Sequence, residues 1–213
     1  TFIAPGPLLW SYVVLGAAVS VVTMLGTANV VKPWGVSALT FPFVLTAWLL
    51  LLATYGFAGL AGTALPAAAV VTPFESVAAT RLGLDDFVQG VLLSISQVFL
   101  KGNGIAALLL LAGLAVNSFA AAAFALGGAI LAVLTAHVLG AESDLITGGL
   151  LGFSPVLTAL ALGTVFYAPS ARVVAYAALG TVFTVVAQAA LNVVLAPFAI
   201  PTLTAPFVLA SWI

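Results

Sequence analysis

No cysteine occurs in the chain, so disulfides, thiolate metal sites and cysteine nucleophiles are excluded at the outset. Histidine occurs once, at His137. With no paired carboxylates beside it, it reads as an interfacial residue and not as a metal ligand. Charge is nearly missing as well, with four Lys/Arg against five Asp/Glu and a net −1. Four cations build no field for nucleic acid or for an acidic partner. No Ser/His/Asp set, glycine-rich phosphate loop or metal-ligand cluster is present, so neither an enzyme nor a cofactor is expected. Nor could so few charges cover a water-soluble domain of 213 residues. The chain is 64% hydrophobic with a mean hydropathy of +1.36, and its solvent is the lipid bilayer.

A spanning helix needs about 20 apolar residues. The first long run is Pro7 to Val31, closed by "VKPW" (Lys32 to Trp34), a cation and an indole suited to an interface. Leu39 to Tyr55 follows, then a softer Gly/Ala-rich stretch from Gly56 to Val71. "TPFESVAATRLGLDD" (Thr72 to Asp86) reads as an aqueous loop, because five of the nine charged residues fall between Glu75 and Lys101. The expected division is therefore 1–71, a loop 72–86, and 87–213. Phe87 to Leu100 is short for a span and suits a re-entrant half-helix. Ile105 to Val116, Phe119 to Leu139, Leu145 to Phe166, Arg172 to Leu195 and Leu203 to Ile213 complete the apolar runs. Lys101 reads as snorkelling to an interface, and Glu142 with Asp144 as loop solvation.

Sliding the sequence on itself by 164 residues lays "APGPLLWSYVVLGAAVSVV" (Ala4 to Val22) on "APSARVVAYAALGTVFTVV" (Ala168 to Val186) without a gap. From there to Trp48 and Trp212, sixteen of forty-five aligned positions are identical, against roughly one in ten by chance in so biased a composition. The matches include Pro5/Pro169, Tyr12/Tyr176, Pro33/Pro197, Pro42/Pro206 and Trp48/Trp212. This is an internal duplication. Membrane transport proteins are often built from two such repeats of opposite topology, with the solute site at their interface. The expectation is an all-α polytopic membrane protein of duplicated, inverted helical repeats with a re-entrant pore helix. The offset maps residues 87–167 onto positions before Thr1, so roughly 80–90 residues of the first repeat are expected upstream of this chain.

The most distinctive shared phrase is "LTFPFVLTAW" (Leu39 to Trp48) and "LTAPFVLASW" (Leu203 to Trp212). Inside a helix, Pro42 would free the carbonyl of Ala38 and Pro206 that of Thr202. Thr40 and Thr204 would each add a hydroxyl beside it. Two symmetric helices would then offer acceptors to a small neutral solute rich in N–H donors. Neither copy holds an acidic residue for a cation. For a single such phrase, the plain reading is a kink with a back-bonded threonine. Gln97 by itself reads equally as helix packing or solute contact, and Phe153 by itself as core or lipid-facing.

The doubled "LTxPF…W" resembles the paired signature helices of the urea transporter family. "QVFLKGNG" (Gln97 to Gly104) is similar to that family's pore-helix motif, and "GLLGFSPVL" (Gly149 to Leu157) to its glycine–aromatic motif. The resemblance implies a passive, selective urea channel, one pore per subunit of a homotrimer, multi-pass in a bacterial inner membrane. It implies Thr40 and Thr204 as mid-pore hydroxyls, Gln97 and Val98 beside the filter, and Phe153 stacking on the solute with Leu157 adjacent. Many members carry Asn after the aromatic, where this chain has Ser154 and Pro155, and Leu100 takes a position that is often Phe in first repeats. Urea and the lipid bilayer are the implied partners. The alternatives are a channel for another small neutral solute (a short amide, ammonia or water) and a non-conducting membrane scaffold.

Overall fold

A computed structural model describes residues 6–57 and 82–213. Most of the Gly/Ala-rich stretch and the loop residues Thr72 to Arg81 lie outside them. Among the described residues there is no strand. The helices are α1 (Pro7–Val31), α2 (Phe41–Gly56), α3 (Leu84–Ser96), α4 (Gly104–Asn117), α5 (Phe119–Val138), α6 (Ser143–Thr147), α7 (Phe153–Leu160), α8 (Ala171–Leu195) and α9 (Ala205–Trp212). Among the described residues three stretches are long and apolar enough to cross a membrane, Pro7–Trp34, Phe119–Val138 and Ala171–Phe198, or four if the bent pair α3 and α4 is one span. The all-α, multi-pass architecture follows from these apolar runs.

Two compact units form. The first contains the described residues up to Phe57, together with 191–208 and Trp212. In it α1 packs against α2, with Gly16 against the Leu50 side chain. Most of α1 is apolar and exposed, with only Gly16 and Val31 buried, as befits a helix whose surroundings are lipid. A 3-10 turn at Lys32–Trp34 ends α1, closed by Gly35 in the left-handed conformation (φ 70°). Residues 164 positions later take the same bounds. α8 matches α1, the 3-10 turn Ala196–Phe198 matches Lys32–Trp34, and α2 and α9 each begin just after a threonine. The left-handed residues recur in step, Gly35 with Ala199 (φ 50°) and Leu39 (φ 50°) with Leu203 (φ 51°).

The prolines do something other than kink. Pro42 sits at the second position of α2, after Thr40 and Phe41, and Pro206 stands likewise in α9. In the first turn of a helix the proline's missing N–H is one that would lack an intrahelical partner anyway. The carbonyls expected to be freed are occupied. Ala38 O accepts from Phe41 N at 3.2 Å, and Thr202 O accepts from Ala205 N at 3.2 Å. The phrase starts a helix and leaves few bare donors, which is what hydrocarbon demands.

The second unit contains residues 82–190 with 209–211 and Ile213. Its α3 begins three residues earlier than the apolar run suggests, because Asp85 and Asp86 belong to its first turn. The Asp86 carboxylate accepts from Gly83 N at 3.3 Å, and both charges complement the helix dipole. α3 ends in a 3-10 turn, Gln97–Phe99, capped by Leu100 with φ 56°. Asn103 then opens α4, its Oδ1 accepting from Ile105 N at 2.8 Å and Ala106 N at 3.2 Å. The two helices are bent by 73° at this break. α5 buries an alanine face (Ala121, Ala125, Ala129, Ala132, Ala136) whose small side chains let α7 approach closely.

The single run expected from Leu145 to Phe166 is broken into α6, a tight turn, α7 and a π-helical turn at Ala161–Val165. Two glycines explain the break. Gly149 has φ 70°, and a Cβ there would overlap the backbone of Leu93 and Ser94. A Cβ on Gly152 would overlap the Ser94 side chain. The turn therefore lies directly on α3, where a continuous helix could not.

Candidate functional site

In the first unit, Thr40 and Thr204 come together. Their hydroxyl oxygens are 2.7 Å apart in a hydrogen bond that joins α2 to α9 across 164 residues of sequence. Each threonine stands just before its helix, and its carbonyl accepts from the amide four residues on, Val44 N and Val208 N, both at 3.1 Å. Thr40 does not use its hydroxyl to cap α2. The two hydroxyls share one proton in their mutual bond, so the pair keeps more acceptor than donor capacity for a third molecule. Pro42, Val44, Pro206 and Val208, two and four residues beyond the threonines, are buried.

Two indoles frame this pair. Trp48 Nε1 donates to Pro201 O at 2.9 Å, and Trp212 Nε1 donates to Ser37 O at 2.8 Å. Tyr55 adds a bond from its hydroxyl to Phe198 O at 2.9 Å. The Phe41 and Trp212 rings pack with centroids 5.2 Å apart.

The other sequence-selected residues lie in the second unit. Gln97 follows α3 directly, half-buried, and its Nε2 donates to Gly148 O at 3.3 Å. It thereby ties the 3-10 turn to the glycine turn before α7. Val98 and Leu157, also half-buried, both line an apolar cavity of about 390 Å³ with Ile95, Leu114, Val156 and Leu160. Phe153 opens α7 and is buried, without lining that cavity. Ser154 and Pro155, where an amide side chain is common in the resembling family, are fully enclosed. Ser154 O accepts from Thr158 Oγ1 at 3.2 Å.

A buried hydroxyl row was not singled out from sequence. The hydroxyl oxygens of Thr158 in α7 and Thr184 in α8 lie 2.9 Å apart, and with Thr184 donating to its own helix the Thr158 proton has Thr184 Oγ1 and Ser154 O as alternative acceptors. Thr181 back-bonds to Ala177 O at 2.7 Å and Thr184 to Gly180 O at 2.6 Å. The signal was the spacing of Thr181, Thr184 and Gln188, which puts three polar side chains on one helix face. All three are buried. Among the described residues no group of three His, Cys, Asp or Glu could hold a metal ion.

Against known protein families, residues 1–213 match the family model described as UT, urea transporter. No curated protein matches the chain.

Proposed function

The chain belongs to the urea transporter family, whose members are passive channels and not enzymes, and from that premise we propose that it conducts urea down its gradient through a narrow pore where α2 meets α9. The observation that carries the reading is the Thr40–Thr204 hydroxyl pair, 2.7 Å between oxygens and followed in each helix by buried apolar side chains. Urea is planar and neutral, with N–H donors along two edges and one strong acceptor. A dehydrated urea needs acceptors for those donors, and the pair supplies acceptor capacity in excess of its own protons. Each water bond exchanged for a hydroxyl bond nets only about 1 kcal/mol. The solute therefore meets a shallow well and moves on, as conduction requires.

An ion fares differently. Removing a full charge from water costs several kcal/mol or more unless an opposite charge receives it. Neither signature phrase contains a charged residue. From the family resemblance, Gln97, Val98, Phe153 and Leu157 are further proposed as solute-contacting residues. Inverted duplication, read from the 164-residue repeat, belongs to the proposal, as do the homotrimer and the bacterial inner-membrane location that the family resemblance implies. Native mass spectrometry in mild detergent reads the trimer, and a monomer or dimer counts against it.

The deciding experiment is solute-driven shrinkage and reswelling of liposomes carrying the protein, with urea, a short amide, ammonia and water compared at equal incorporation. Urea permeability well above protein-free liposomes, and above the amide, is expected. No conduction would indicate a scaffold, and equal passage of all four solutes would indicate an unselective or different channel.

A further inference from the structure

We infer that Trp48 and Trp212 are reciprocal positioning residues, each holding the loop that presents the other repeat's threonine; the inference rests on the hydroxyl pair's proposed pore role. Pro201 lies three residues before Thr204, and Ser37 lies three residues before Thr40. Trp48 bonds the first of these carbonyls and Trp212 the second. The helix that begins at one threonine thus reaches back, through an indole on its second or third turn, to the loop of its counterpart. The two bonds exchange under the 164-residue shift, Trp48 with Trp212 and Ser37 with Pro201.

Physical need supports the assignment. Each loop runs between two left-handed residues, Gly35 and Leu39 in one, Ala199 and Leu203 in the other. Three of those four carry a Cβ, for which the left-handed region is unfavourable. Such a loop reaches one conformation only when its surroundings impose it. Ser37 and Pro201 are themselves exposed, so a donor from within the protein is what gives each loop carbonyl a fixed partner. The indole N–H supplies the donor and fixes the loop in one stroke, while the ring remains apolar. Loss of that one N–H leaves the helices intact but lets the threonine shift along its approach to the partner hydroxyl. At a 2.7 Å contact, a shift of a few tenths of an ångström already weakens the bond.

The absence of cysteine gives a geometric test that needs no urea. In a Thr40→Cys/Thr204→Cys protein the two thiols are the only ones in the chain. Their oxidation by copper–phenanthroline, followed by alkylation and mass measurement, reports how often the two sites meet. Replacing Trp48 with the benzothienyl analogue, by nonsense suppression, removes the N–H and keeps the ring shape. Cross-linking should then slow about fivefold, the factor that one lost hydrogen bond gives. Trp48→Phe and Trp212→Phe should slow it as well. 5-Fluorotryptophan at 48, which retains the N–H, should restore the parent rate. Trp34→Phe, at a ring 71% exposed, is the control and should change nothing. An unchanged rate in the benzothienyl protein overturns the inference, even where Trp48→Phe fails to fold. With both threonines present, urea permeability should fall in the benzothienyl protein, and its ratio to N-methylurea permeability should change. Slowed cross-linking with unchanged urea permeability would keep the clamp but refute the pore role of the hydroxyls.

Discussion

Replacing Thr40 and Thr204 by valine preserves volume and removes only the hydroxyls, so their effects on stability and on conduction can be separated. In the resting protein the two oxygens satisfy each other at 2.7 Å. Thr40→Val alone leaves Thr204 Oγ1 without that partner, and the stranded group costs about 1–3 kcal/mol in a buried setting. The pair is only partly buried, which places the expected loss near the lower end. The double variant strands nothing, so its stability should exceed the sum of the two single losses by about 1 kcal/mol. Conduction should show no such recovery. If each hydroxyl gives the passing urea one bond worth about 1 kcal/mol at the barrier, each single variant loses about fivefold in permeability. Without either hydroxyl the loss compounds to roughly 25-fold. The assay is stopped-flow light scattering of proteoliposomes under a urea gradient, corrected for protein incorporated, beside thermal unfolding of the same samples. Equal urea permeability in the wild type and in Thr40→Val/Thr204→Val would refute the proposed mechanism. Stability recovering in the double variant while permeability falls further is the signature expected of hydroxyls that bond each other at rest and the solute in transit.

Three further substitutions test the surrounding structure. Thr46→Val removes a buried hydroxyl that has no hydrogen-bond partner among the described residues; the thermal midpoint should stay level or rise, corresponding to about 0–2 kcal/mol, with urea permeability unchanged. Ala199→Gly replaces a left-handed alanine by the residue that its counterpart Gly35 already is, so thermal unfolding in mild detergent should show a gain of about 0.5–1 kcal/mol. Gly152→Ala drives a methyl into Ser94 beneath the turn before α7, and should cost about 1–3 kcal/mol in the same measurement. A stable Gly152→Ala protein would contradict the close approach of that turn to α3.

The long spans were legible because the bilayer imposes one requirement on them, an unbroken apolar length. α1 runs from Pro7 to Val31, as its apolar run does, and α5 ends at Val138, one residue short of its run. The meeting of Thr40 with Thr204 at 2.7 Å was legible for a different reason: they hold equivalent positions in the two copies of the "LTxPF" phrase, and equivalent positions of an expected repeat are candidates to meet. Three features were not legible. Composition cannot show that Gly149 and Gly152 lie against α3, since a run of apolar and glycine residues is compatible with a continuous helix and with a turn. Gln97 finds its partner 51 residues away at a backbone carbonyl, which has no side-chain signature. The prolines were misread because a proline within an apolar run is compatible with a kink and with a start. The decision lay in the left-handed leucine three residues earlier, and leucine gives no sign of that conformation in sequence.

The prolines also show how a chain nearly free of charge can begin its helices without capping side chains. Pro7, Pro42, Pro155 and Pro206 each fall within the first turn of a helix, α1, α2, α7 and α9 respectively. A helix that starts in hydrocarbon exposes backbone N–H groups, and each one left bare costs several kcal/mol. Proline deletes one of them, and a turn bond such as Phe41 N to Ala38 O occupies another. With the backbone donors reduced in this way, the threonine hydroxyl ahead of α2 is released from its usual capping duty and bonds across to Thr204 instead. On the proposed function, that release is what makes the hydroxyl available to a solute. It follows that Pro42→Ala should restore an N–H at the second position of α2, offering Thr40 Oγ1 a backbone donor in competition with Thr204. The α2 helix should remain, while cross-linking between cysteines at 40 and 204 speeds up or stays level, because cysteine caps poorly. Urea permeability of the threonine-bearing Pro42→Ala protein should fall, by about fivefold if the cap captures one hydroxyl fully. Unchanged permeability would mean that the hydroxyl's freedom does not depend on the proline, and the link from helix start to pore chemistry would fail.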